Sequence, residues 1–230
     1  LVAHGAAEDI LFEAHPHIGT NKLPKLIQGI RNTVLKYGGE IHFNTKVVDF
    51  ILEGNSVVGV VTQRSDALHA STSSHGSCLH EPSQEYNGIG VILATGHSAR
   101  DIFELLHHKN ILIEAKPFAL GVRIEHRQSL IDKIQYHGNK CDVMPAASYS
   151  LVEQVNVGTN QKGVFSFCMC PGGFIVPSAT NQNEIVVNGM SPSKRDSPFS
   201  NSGMVVAVDE TDWKNFKQFG ALAGMEFQKS

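Results

Sequence analysis

The 230-residue chain has no excess of either charge: 19 Lys and Arg stand against 22 Asp and Glu, a net charge of −3. Without a basic surplus or a basic run there is no electrostatic reason to expect nucleic acid as a partner. No apolar run approaches the roughly 18 residues of a membrane-spanning helix, so no membrane partner is expected. The opening LVAHGAAEDILFEAH has no basic flank ahead of an apolar stretch and does not read as a signal peptide. There are only four cysteines, at positions 78, 141, 168 and 170. That is too few for a disulfide framework at this length, and a reducing compartment is expected. The twelve histidines are scattered, with no helical His-x3-His pair to suggest zinc. An initiator methionine is also missing. Leu1 opens in a helix-like run and Lys229-Ser230 follows another, so an internal piece of a longer protein is expected.

What is present suits an ordinary folded chain: 41% hydrophobic and 18% charged residues, enough for one large domain or two small ones. The stretch 20–37, TNKLPKLIQGIRNTVLKY, spaces Leu23, Leu26, Ile27, Ile30 and Val34 as one helical face. Thr20 or Asn21 is expected to cap its start, Pro24 fits its first turn, and Gly38 supplies a left-handed stop. A short strand is expected over 41–44. Strands over 46–52 and 57–63 flank Glu53-Gly54-Asn55-Ser56, a hairpin turn. The segment 65–88 is rich in Ser, His and Gly and lacks apolar periodicity, so it reads as a long exposed insertion. His69, His75, His80 and Cys78 within it fit no metal-site spacing.

Residues 89–93 then form a short apolar run, expected to be a buried strand. It leads into Ala94-Thr95-Gly96-His97-Ser98, where Ser98 is expected to cap a helix with Asp101 as its box partner. Small residues at a strand end let a ligand approach the backbone, and a helix start offers free N–H groups to an anion. Beyond Lys116-Pro117 the texture changes. A strand over 118–125 and a helix over 128–136 precede short β runs at 150–157, 163–169, 174–177, 185–188 and 204–208. The expectation is an α/β first domain, 1–115, followed by a mostly antiparallel α+β second domain, 116–230.

Five stretches stand in order: HPHIGTNKLPKLIQGIR, ILATGHSARDIFELL, KPFALGVRIEH, GVFSFCMCPGGF and NGMSPSKRDSPFSNSGMVV. Together they resemble an uncharacterised FAD-dependent dehydrogenase family within the two-dinucleotide-binding-fold flavoproteins. The likeness spans nearly the whole chain outside 65–88 and 209–220. It implies a partial FAD/NAD(P)-binding Rossmann-like domain with a β-hairpin insertion, a partial substrate or cap domain, FAD as cofactor, NAD(P)H as donor or acceptor, and a small-molecule substrate. It implies that Val47, on the strand matching TKVV, meets the adenine through its backbone, and that Ala94, Thr95, Gly96 and His97 form a second contact with the cofactor. Bacterial relatives would be cytoplasmic; the Ser/His-rich insertion points to a eukaryotic version, for which a plastid or other organelle is open. The family's Gly-x-Gly-x-x-Gly turn, where pyrophosphate rests on a helix N-terminus, has no counterpart here, nor does its last glycine-rich segment.

The remaining candidates carry open alternatives. His15, His17 and Thr20 form either a solvated loop or a loop facing the flavin, where His17 would act as an acid or base near neutral pH. Arg123, Lys194 and Arg195 read first as surface charges and second as a clamp for a carboxylate. Cys168 and Cys170 lack a second pair for a metal. On a regular strand they would stand about 6.5 Å apart, near the limit for a disulfide. The third reading is a strand end and glycine turn near the cofactor, with either thiol a catalytic candidate.

Overall fold

The computed structural model describes residues 1–64, 83–158, 160–181 and 184–230. Helix α1, Leu23–Lys36, carries Pro24 in its first turn and buries Leu26. It stops at Gly38, whose φ of 83° admits the left-handed turn that ends helices. Thr20 and Asn21 do not cap it: the N-cap is Lys22, with no side-chain cap bond. Both residues turn away to the second half of the chain. Residues 41–44 form no strand and bend at Asn44, φ 53°.

Strands β1, Thr45–Glu53, and β2, Ser56–Arg64, form the expected hairpin. Gly54 at φ 59° takes the first central position of its two-residue turn, where glycine is favoured. Strand β3, Gln84–Asn87, adds to β2, giving a sheet of order β1-β2-β3. The exposed insertion expected over 65–88 is therefore shorter: its last residues are a strand. Gln-Glu-Tyr-Asn has only Tyr86 half-buried, so its sequence shows no apolar pattern. His69, His75, Cys78 and His80 lie outside the described residues.

The buried strand expected over 89–93 does not form. The segment is irregular, with Ile89 and Ile92 fully uncovered (114% and 95% exposed). A strand exists through its ladder, and the β2–β3 ladder ends where the Gly88 N–H donates to Val58 O (2.9 Å). No described strand runs beside 89–93. Helix α2, Arg100–His108, follows. Its N-cap is Ala99 without a side-chain cap. Ser98 contributes only its carbonyl, which accepts from Arg100 N (2.9 Å). Asp101 reaches Lys46 instead (2.8 Å), and Lys109 reaches Asp49 (2.7 Å), so two ion pairs hold β1 against α2.

In the second half, β4, Phe118–Arg127, runs into α3, Gln128–Gln135. Then come β5, Val152–Val157, β6, Asn160–Cys170, β7, Phe174–Pro177, β8, Val187–Met190, and β9, Phe199–Val208. The main sheet is ordered β4-β9-β6-β5; β7 and β8 form a separate pair. Every described pairing is antiparallel, and no parallel pair occurs among the described residues. The molecule is thus a mixed α/β protein with antiparallel sheets. Strand β9 begins at Phe199, earlier than the expected 204; Ser200-Asn201-Ser202 look like a loop in sequence but pair in the ladder with β4. A 3-10 stretch, Lys214–Leu222, broken at Gly220, leads into α4, Ala223–Lys229. Val208, Trp213 and Ala223 form the buried cluster there, with the Phe118 ring stacked on Trp213 at 5.5 Å. No described helix is long and apolar enough to cross a membrane.

Candidate functional site

Three loops that are distant in sequence meet around the Pro171-Gly172-Gly173 turn. The first is the end of β6. Phe167 pairs with Gly203 but Cys170 with Asn201, so β6 carries one residue more than β9 across this interval. That bulge places Cys168 in the left-handed region, φ 50°, and turns the two thiols apart. Cys168 is exposed, Cys170 is buried, and both are free. The regular-strand spacing used for the sequence reading does not hold across this bulge. Arg123 Nη1, from β4, donates to the Cys168 carbonyl (3.2 Å), to Cys170 Sγ (3.8 Å) and to the Asn201 side-chain oxygen. Burial pushes the Cys170 thiol up, and a charge on Cys168 would push it further, against the opposing pull of Arg123. Cys170 is therefore held protonated at neutral pH, and Cys168 is the thiol that faces solvent.

The second loop is 189–198. Ser191 Oγ donates to Pro171 O (2.8 Å), and Ser197 N donates to Gly172 O (3.3 Å). The Gly172 N–H donates to Gln128 Oε1 (2.7 Å), tying the turn to α3. The third loop is 15–21. His17 Nε2–H donates to Pro192 O (2.9 Å); since a carbonyl only accepts, the proton sits on Nε2. Thr20 donates through both N (3.0 Å) and Oγ1 (3.2 Å) to Ser191 O. Asn21 Oδ1 accepts from Ser193 N (2.8 Å). His15 stays exposed.

Behind the junction, Ser200, Asn201 and Ser202 are fully buried. Ser200 Oγ and Asn201 Nδ2 have no hydrogen-bond partner among the described residues. Tyr149 OH and His126 Nε2 share a bond of 2.7 Å, and burial raises the Tyr149 phenol above its ordinary value. Sequence reasoning missed this polar interior. Its one signal was polar Ser-Asn-Ser directly ahead of an apolar strand.

The cofactor candidates fall elsewhere. Ala94, Thr95, Gly96 and His97 are exposed, and Gly96 takes φ 79°. His97 Nε2 and Gln228 Oε1 stand 3.4 Å apart at one side of a cleft of about 470 Å³. The apolar walls of that cleft include Phe103, Phe118, Leu222 and Met225. Arg100 at its edge pairs with Glu184, and that contact holds the Glu184 carboxyl below its usual range. Val47 is half-buried on β1, beside the Lys46 that pairs with Asp101 just past Gly96. So the structure gathers His17, Cys168 and Cys170 into one region, and sets Val47 and 94–97 around α2 in another. Lys194 and Arg195 belong to the first region, lining a second cavity of about 440 Å³ under α3.

Residues 117–230 match the family described as FAD-dependent protein, C-terminal domain-like. That match associates the second half of the chain with an FAD-dependent family. Over its whole length the chain is similar to a Clostridium beijerinckii protein described as an uncharacterized protein, with 36% identity over 230 residues. The alignment covers 100% of this chain and 39% of that protein, so the chain spans well under half the length of the relative it matches.

Proposed function

We propose that this chain forms part of an FAD-dependent oxidoreductase acting on a small-molecule substrate. The observation that carries the reading is the family match over 117–230, joined to the open backbone edge at 94–97. FAD, when bound, would supply the redox chemistry between such a substrate and an electron acceptor, for which a nicotinamide is one candidate. A β-carbon on Gly96 would meet nothing within 4 Å, so no described atom crowds this turn. Val47 offers backbone from the hairpin side, and His97 borders the cleft. In this reading 1–115 is the partial FAD-binding domain and 116–230 the partial substrate or cap domain. His17 has its Nε2 proton committed to Pro192 O, which leaves Nδ1 to accept or deliver a proton. Cys168, the exposed thiol, is the candidate of the two to meet a substrate.

A second reading has its own observation. The Gly-x-Gly-x-x-Gly cradle is absent from these 230 residues, and Ile89 and Ile92 stand uncovered. Both favour a chain that does not hold FAD by itself and acts as a partner or non-catalytic piece. The two readings separate spectroscopically. The Clostridium beijerinckii relative, its matching segment replaced by this chain, is purified and its visible spectrum recorded beside that of the relative and of the chain alone. Flavin bands are expected in the relative and the chimera, with the isolated chain colourless. A yellow relative and a colourless, folded chimera would sink the oxidoreductase reading.

A further inference from the structure

The second cavity, under α3, is lined by Gln128, Asp132, Lys140, Lys194, Arg195 and Ser197, among others. Its inner polar groups are already committed. Asp132 accepts from Gln128 Nε2 (2.8 Å), from Ala147 N (2.9 Å) and from the Lys140 ammonium. Gln128 spends its remaining capacity on Ala147 O (3.0 Å) and Gly172 N (2.7 Å). Lys194 and Arg195 make no ion pair among the described residues. The wall they share with Asp196 therefore carries a positive surplus.

Arg195 departs from the ordinary in two independent ways. Its backbone takes φ 52°, a left-handed conformation that is unfavourable for a non-glycine residue. It is held there by its surroundings. Arg195 N donates to Pro192 O (3.0 Å), and Gly172 lies so close behind that a β-carbon there would overlap the Arg195 carbonyl. Its Nε, in turn, is buried and has no acceptor among the described residues. Leaving a charged donor dehydrated and unpaired is unfavourable. The left-handed backbone fixes where this residue sits, and its side chain lines the cavity with no ion-pair partner among the described residues.

We infer that this cavity binds a small oxyanion, a carboxylate or phosphate group, with Arg195 as its main donor. Arg195 offers the planar, forked donors that match such oxygens. Lys194 adds charge at the rim. The Ser197 hydroxyl, whose oxygen already accepts from Phe199 N (3.3 Å), still has its own proton to donate. The inference does not rest on the flavin reading, because a substrate carboxylate and the pyrophosphate of a cofactor present the same oxygens.

The test is thermal denaturation of the 230-residue chain titrated with succinate, with inorganic phosphate and with FAD, at ionic strength fixed by chloride. A saturable rise in Tm is expected with at least one of them. Arg195→Gln should weaken the apparent affinity about tenfold or more, and Lys194→Gln by less. An Arg195-dependent response to FAD alone would assign the oxyanion to the cofactor's pyrophosphate, at the same site. Arg195→Gly keeps the test independent of folding: glycine tolerates the left-handed backbone, so this variant should melt at or above the wild-type temperature yet lose the response. No saturable rise with any of the three probes overturns the inference, as does an Arg195→Gln protein that responds like wild type.

Discussion

Gly172 does its work by having no side chain. Its φ of 49° is left-handed, and its missing β-carbon makes room for the Arg195 carbonyl. Gly172→Ala adds both strain and overlap against backbone that cannot swing aside, and should cost about 2–4 kcal/mol. The urea midpoint should fall without a change in slope; an unchanged midpoint would mean that the two loops are not in contact. The neighbouring cysteines make a second test at this scale. Cys168 is exposed, whereas Cys170 is buried and held protonated. Brief alkylation of the native protein, followed by peptide mapping, should label Cys168 well ahead of Cys170. Equal labelling would contradict the bulge that separates them. The pair Cys168-Met169-Cys170 is plain in the sequence, but that separation is not: nothing in Phe-Cys-Met-Cys announces which residue is the extra one, since the bulge is set by the register against Gly203 and Asn201.

Elements with strong local signals matched their expectations. The helical run of α1, the Gly54-Asn55 turn and the extended run of β4 are each determined by neighbours in sequence. Elements defined by distant partners did not. Residues 89–93 look like a strand because they are apolar, but a strand needs a ladder. Residues 84–87 look like loop because they are polar, yet they have one with β2. Thr20 and Asn21 look like caps, and instead bond to Ser191 and Ser193, which no local rule reveals. Site residues were legible as types, Arg, Cys and His in named stretches, but not as groups.

The anchoring of α3 shows what such groups do for an element. Asp132 sits at its centre, nearly buried. Burial alone would raise its carboxyl; the Lys140 ammonium, the Ala147 N–H and the Gln128 amide outweigh that and hold it below the usual 3.8. A carboxyl whose folded value is depressed stabilises the fold above its unfolded value and loses that contribution as pH falls through the folded one. Asp132→Asn should therefore destabilise the protein by about 1–3 kcal/mol at neutral pH. The gap to wild type should narrow as pH drops below 3.8. Denaturant titrations of both proteins at several pH values would read this directly; a gap that stays constant into acid would show that the Asp132 charge contributes nothing.

For the whole molecule, the two halves of the chain are joined by contacts rather than by a shared sheet. The 15–21 loop, which leads into α1, bonds to the 189–198 loop; the three-stranded sheet is tied to α2 by Lys46–Asp101 and Asp49–Lys109, and α2 meets the second half through Arg100–Glu184 and Glu104–Lys229, with His97–Gln228 just ahead of it. Lys229 and Glu104 are both substantially exposed, and such a surface pair stabilises by only about 0–1 kcal/mol. The seam at Gly19 is a stronger link. Gly19 takes φ 95°, and a β-carbon there would run into the Ser193 backbone. Gly19→Ala should push the 15–21 loop off the 189–198 loop, breaking the His17, Thr20 and Asn21 bonds together. The first half buries little on its own: its described buried hydrophobic residues are Leu26, Phe50 and Ile102. With that seam opened and only the α2 contacts left, it should melt before the second half, whose Trp213 cluster and four-stranded sheet are untouched. Calorimetry should then resolve one transition in the wild type and two in Gly19→Ala, the lower belonging to the first half. Two transitions already in the wild type, or one unshifted transition in the variant, would mean that the loop junction does not couple the halves, and that the positions of His17 and Cys168 are set independently of each other.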